Sequence, residues 1–115
     1  MALIELDRRR VERLMRDYCE RRVPPQAQDS IRLDFVIRGQ KITLIESRPA
    51  FRQPGVWVEL KIAQFEFDGQ ARNWRLYCYD RNSKRRAYLE GSDESPRLEN
   101  LLQEVDADPL GIFWG

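Results

Sequence analysis

The sequence predicts an α+β fold: a five-stranded antiparallel sheet flanked by an N-terminal and a C-terminal helix, in two layers. Three observations carry that prediction. Apolar residues recur at helical spacing only towards the two ends of the chain. Between them, apolar and polar residues alternate in short runs separated by Gly, Pro, Asn and Asp. Every connection between those runs is too short for a parallel crossover, which needs about a dozen residues or more. A length of 115 residues fits a single domain, 1–115, able to bury about two-thirds of its unfolded surface.

The first element is a helix. Val11, Leu14, Met15 and Tyr18 form one apolar stripe, and Arg8, Arg9, Arg13 and Arg16 fall largely on other faces. Asp7 is the expected N-cap, with Leu6 just before it. Pro24-Pro25 end the helix, because proline lacks the backbone donor and restricts the residue before it.

A strand follows at 31–38, where Ile31, Leu33, Phe35 and Ile37 alternate with Arg32, Asp34, Val36 and Arg38. Gly39-Gln40 predicts a tight hairpin into a strand at Ile42–Ile45. Ser47–Gly55, with Pro49 and Pro54, reads as a loop. The run 56–67 changes phase: Val56, Val58, Leu60 and Ile62 share one parity, whereas Ala63, Phe65 and Phe67 share the other. A β-bulge near Ile62-Ala63 reconciles the halves; burial of both faces at one end is the alternative.

Asp68-Gly69 opens a turn into a fourth strand, 73–80. Trp74, Leu76 and Cys78 lie on one face, with Arg75, Tyr77 and Tyr79 on the other. The turn Asp80–Ser83, with Asn82 tolerant of positive φ, leads to a fifth strand at 84–90. That register places Arg86 and Tyr88 beside Tyr77, opposite Trp74. After a polar loop from Gly91 to Ser95, Ser95 caps a second helix that has Pro96 at its first position and a stripe of Leu98, Leu101, Leu102 and Val105.

Composition excludes several chemistries. There is no histidine, so Ser-His and Cys-His catalysis are excluded, and Cys19 and Cys78 alone cannot close a four-ligand zinc site. Reduced, packed thiols are the expectation for both. No run approaches the ~20 apolar residues of a membrane span. Charges near the N-terminus replace the apolar run of a signal peptide, so a cytoplasmic location is expected. No membrane contact and no cofactor are expected either.

Arginine outnumbers lysine 17 to 3, and the charge is segregated. Residues 8–22 and 72–86 are basic, whereas 90–108 are acidic. Either these blocks pair within the fold, or a basic face is open to an anionic partner.

Four segments carry a family resemblance: Cys19–Pro25, Glu46–Pro49, Trp74–Asn82 and Val105–Gly115. Together they resemble a small bacterial family known as domain of unknown function 3024. The resemblance spans nearly the whole chain, and Val105–Gly115 is its most specific part. It implies a compact bacterial domain and carries no activity. Ser83 stands where the family typically has glycine after asparagine, which implies a looser fourth turn.

Three constellations are candidate sites. Arg72, Arg75, Tyr77, Tyr79, Arg85 and Arg86 interleave cations and rings, as a nucleic-acid or anion surface needs. The same residues equally suit a solvated sheet face on which arginine stems cover aromatic rings. Ile112, Phe113 and Trp114 dock either on their own chain or on a protein partner or dimer mate, since water leaves such side chains exposed only at a cost. Asp106 and Asp108 lack the ligand spacing of a calcium loop, so no metal is expected; accepting backbone hydrogen bonds or pairing with arginine is the simpler role. Glu20 and Glu46 serve acid–base chemistry only if they meet. The residues favour a small non-catalytic binding module. Nucleic-acid binding through the arginine/aromatic face is the first alternative, and a carboxylate-based enzyme the second.

Overall fold

The computed structural model describes residues 5–114, with side chains from Asp7 onward. The order is helix, six strands, helix: α1 Glu5–Arg22, β1 Arg32–Arg38, β2 Lys41–Pro49, β3 Trp57–Asp68, β4 Asn73–Tyr79, β5 Arg85–Ala87, β6 Glu94–Ser95 and α2 Leu98–Ala107. All pairings are antiparallel in the order β1-β2-β3-β4-β5, and the two-residue β6 pairs with the other end of β4. An antiparallel five-stranded sheet with a helix at each end is the predicted fold; β6 is the addition.

Both helices lie on one face. Met15 and Tyr18 of α1 and Leu101 and Val105 of α2 share a core with Ile42, Leu44, Phe65, Trp74 and Leu76 from the sheet. Glu5 and Leu6 are already helical, so Asp7 lies inside the helix and is not its cap; Glu5-Leu6 contains no breaker. Val23 N–H still closes the last turn on Cys19, and Pro25–Ala27 forms a single 3₁₀ turn.

The β1–β2 hairpin has the predicted two-residue loop, Arg38 opposing Lys41. Gly39 alone of the loop pair takes positive φ (60°), the II′ pattern. β2 continues to Pro49, well past the expected end at Ile45, because Pro49 sits at the strand terminus opposite Trp57. The bulge stands where the phase change predicted it. Ile45 faces Lys61 and Leu44 faces Ala63, which leaves Ile62 as the extra residue.

The fourth hairpin departs from the prediction. Tyr79 pairs with Arg85 and Cys78 with Arg86, so Arg86 shares the face of Trp74, and Tyr88 is buried in the core. The loop is Arg81-Asn82-Ser83, one residue away from the register a four-residue turn gives. Asp80 N–H reaches Lys84 O and Ser83 N–H reaches Asp80 O. Such a loop needs left-handed backbone at its last residue, and Ser83 supplies it at φ 61°; Asn82 does not. At the start of α2, Ser95 Oγ accepts the Arg97 N–H at 3.1 Å and the Asn100 amide at 2.9 Å. Arg97, not Ser95, is the residue flanking the first helical turn, so Pro96 lies outside the helix.

Candidate functional site

Two surfaces hold the candidates that the sequence singles out: the segment after α2 and the sheet face that the helices leave open. α2 ends at Asp108, whose backbone is left-handed (φ 43°) and whose N–H bonds to Glu104 O at 2.9 Å. Its carboxylate then gathers the following chain. Oδ1 accepts the N–H groups of Ile112 (2.9 Å) and Phe113 (3.1 Å), and Oδ2 accepts that of Trp114 (2.9 Å). Partial burial pushes this carboxyl upward. The three amide donors, with Arg22 nearby, outweigh it and hold the group below its ordinary value.

That wrap returns the aromatic residues to their own chain. Phe113 is 5 % exposed and its ring stands 5.1 Å from that of Tyr88. Trp114 Nε1 donates to Val105 O at 2.9 Å, and the Arg22 guanidinium lies 4.3 Å over its ring. Arg22 also pairs with Asp106 at 2.8 Å, and Tyr18 Oη donates to the same Asp106 oxygen. Burial, and then Asp106, raise the Tyr18 phenol above its ordinary value. Burial and a hydrogen bond to Glu104 do the same for Tyr88. The knot joins the ends of α1 and α2. Leu110 and Ile112 remain outside it, exposed by 56 % and 43 %.

The open sheet face is built by strand parity and the bulge at Ile62. One cross-strand row reads Val36, Thr43, Gln64, Tyr77, Ala87. Beside it run Arg38, Lys41, Glu66, Arg75 and Glu94. The bulge shifts the first half of β3 so that Trp57, Glu59 and Lys61 join this face. Three rings carry cations: Arg32 lies 3.8 Å over Trp57, Arg85 3.9 Å over Tyr77, and Lys61 5.7 Å over Tyr79. Arg85 is also held by Glu66 (2.7 Å) and Gln64 (2.8 Å). Arg75 pairs with Glu94 at 3.3 Å. Among the described residues, no carboxylate lies within ion-pairing distance of Arg32, Arg38, Lys41 or Lys61.

The six basic and aromatic candidates therefore divide. Arg75, Tyr77, Tyr79 and Arg85 share the open face. Arg86 is on the helix side, bonded to Asp80 at 3.0 Å, because of the three-residue loop. Arg72 sits in the β3–β4 turn at φ 50°, on the rim of a cleft over Trp74 with Arg10 and Arg97. Sequence reasoning missed Trp57, Arg32 and Lys61. The phase change of β3 held that signal, since a bulge moves the odd residues of its first half beside Gln64 and Glu66.

The carboxylates do not converge. Glu20 lines a cleft between α1 and β1, Glu46 lies beneath Arg48 in another cleft, and Asp80 closes the β4–β5 loop. The Asp80 carboxyl is lowered, first by the Lys84 N–H, the opposite of what a general acid needs. Among the described residues, no helix is long and apolar enough to cross a membrane.

The match to a family model decides the affiliation: it covers residues 3–115, including both the Asp108 wrap and every strand of the open face. The chain belongs to the family described as Domain of unknown function (DUF3024). No curated protein and no solved structure matches the chain. Within this DUF3024 chain the matched residues include the Asp108 wrap that packs Phe113 and Trp114 against their own fold.

Proposed function

We propose that this chain is a non-catalytic binding module whose working surface is the open sheet face, and that its ligand class is single-stranded nucleic acid. One observation carries the reading: Trp57, Tyr77 and Tyr79 share a face with Arg32, Lys41 and Lys61, none of which has a carboxylate within ion-pairing distance among the described residues. Bases stack on rings and phosphates take the cations. The rings are now covered by Arg32, Lys61 and Arg85, so binding is an exchange. An exposed cation–π contact is worth about 0.5–1 kcal/mol, whereas base–aromatic stacking contributes about 1–3 kcal/mol. The displaced cation then meets a phosphate, so the exchange favours the complex. Phe113 and Trp114, engaged with Tyr88 and Arg22, are not needed for it.

The test is fluorescence anisotropy of labelled single- and double-stranded oligonucleotides across a salt series. Three neutralised phosphates give a log–log salt slope of about −2 for single strands. Single strands should bind more tightly than duplex, and Tyr77→Ala with Lys61→Ala should remove most of the affinity. No binding at low salt, or binding indifferent to that pair of substitutions, overturns the reading.

A further inference from the structure

β1 is the outer strand of the sheet, with β2 on one side and no described strand on the other. The two-residue hairpin fixes its hydrogen-bonding parity. Arg38 and Lys41 flank the turn as a bonded pair. Counting back by twos, Arg32, Asp34, Val36 and Arg38 address β2, and Leu33, Phe35 and Ile37 turn their backbone N–H and C=O groups outward. The outward amide of Phe35 is held by its own neighbour, Asp34 Oδ1, at 2.7 Å. An outer strand with free backbone groups is a template for another strand.

We propose that the occupant is β1 of a second copy of this chain, paired antiparallel about a two-fold axis at Val36. Such pairing is self-complementary, so each register can be judged from the strand's own side chains. An axis at Asp34 sets two carboxylates against each other. An axis at Phe35 brings Arg32 against Arg38 of the second copy, twice. Axes at Leu33 or Ile37 overlap only three residues of Arg32–Arg38.

An axis at Val36 overlaps five residues, 34–38. It sets Asp34 opposite Arg38 of the second copy, and Arg38 opposite the second Asp34. Val36, 41 % exposed, meets its twin. Phe35 faces Ile37 with their outward groups aligned, giving four backbone hydrogen bonds over the two equivalent pairs. No donor is stranded. The Phe35 amide passes from the Asp34 carboxylate to the Ile37 carbonyl of the second copy, and the released carboxylate takes Arg38. Arg38 has no other carboxylate within reach among the described residues. The two open faces then form one continuous surface.

Sedimentation equilibrium on the full chain, over a wide concentration range, tests this. The expected result is a reversible dimer. Asp34→Arg should weaken it at least tenfold, by opposing two arginines at each end. Asp34→Arg combined with Arg38→Asp should restore it, since the swapped pair is again complementary. In a Cys78→Ser background, Val36→Cys should give a cross-chain disulfide on mild oxidation. Two-fold partners in a non-bonded pair lie about 4.5 Å apart at Cα, within disulfide reach. Lys41→Cys should not cross-link. A monomer at every concentration overturns the proposal. So does a dimer indifferent to Asp34→Arg, or one that fails to cross-link at position 36.

Discussion

Replacing Asp108 by Asn isolates the charge that holds the last turn of chain in place. Asparagine tolerates the left-handed backbone found at φ 43°, so the substitution adds no strain of its own. One side-chain oxygen survives and can keep the Ile112 and Phe113 amides, now as neutral acceptor. The other becomes an NH₂ that faces the Trp114 N–H, donor against donor. A hydrogen bond to a charged group contributes about 1.5–3 kcal/mol and a neutral one about 1 kcal/mol. Losing one charged bond and weakening two others costs about 2–4 kcal/mol, since coupled bonds do not add fully. For a chain of this size that lowers Tm by roughly 10 °C. Urea unfolding supplies the free energy, and amide exchange supplies the location. Ile112, Phe113 and Trp114 should lose protection while β2 and β3 keep theirs. The native chain should show the same loss on acidification. The Asp108 carboxyl is depressed in the fold, so its contribution is complete above the unfolded value near 4 and fades as pH falls from there through the lower native value. Asp108→Asn should flatten that dependence. A loss under about 0.5 kcal/mol, with protection of Phe113 and Trp114 unchanged, refutes the carboxylate as the organising group.

Phe113→Ala should cost about 3–5 kcal/mol, as a buried aromatic truncation does, whereas Ile112→Ala should change urea stability by less than about 0.5 kcal/mol; equal effects contradict the packing described. Ser83→Gly should stabilise by about 1 kcal/mol, because glycine adopts the observed φ of 61° without a Cβ penalty; thermal melts read this directly, and no gain contradicts a strained loop. Burial, with Asp34 and Glu20 near it, pushes the Cys19 thiol up to about 12. Timed alkylation at pH 8 with mass detection should therefore label Cys78 well before Cys19, and equal rates would contradict the burial of Cys19.

The sequence carried some of these features openly and hid others for identifiable reasons. The alternation of Leu33, Phe35 and Ile37 reports a half-buried strand because each side chain feels only one face. The bulge at Ile62 was legible because a one-residue slip inverts the apolar parity of everything after it. The placement of Arg86 and Tyr88 was not. Asp80-Arg81-Asn82-Ser83 supports loops that differ by one residue, and that one residue decides which face the next strand shows. Trp57, Arg32 and Lys61 escaped because their grouping spans three strands and depends on the bulge. Asp106 and Asp108 were legible as carboxylates serving arginine and backbone. That Asp108 alone would hold three successive amides depends on a left-handed turn of backbone, which no residue pattern at the helix end specifies.

The open face as the working surface is tested most directly by mapping backbone amide shifts of the labelled chain during titration with a single-stranded oligonucleotide at low salt. The predicted changes cluster on Val36, Thr43, Lys61, Gln64, Tyr77 and Tyr79, with the amides of α1, α2 and Phe113 still. Shifts confined to the helices or to Ile112–Trp114, or no shifts at all, would contradict it.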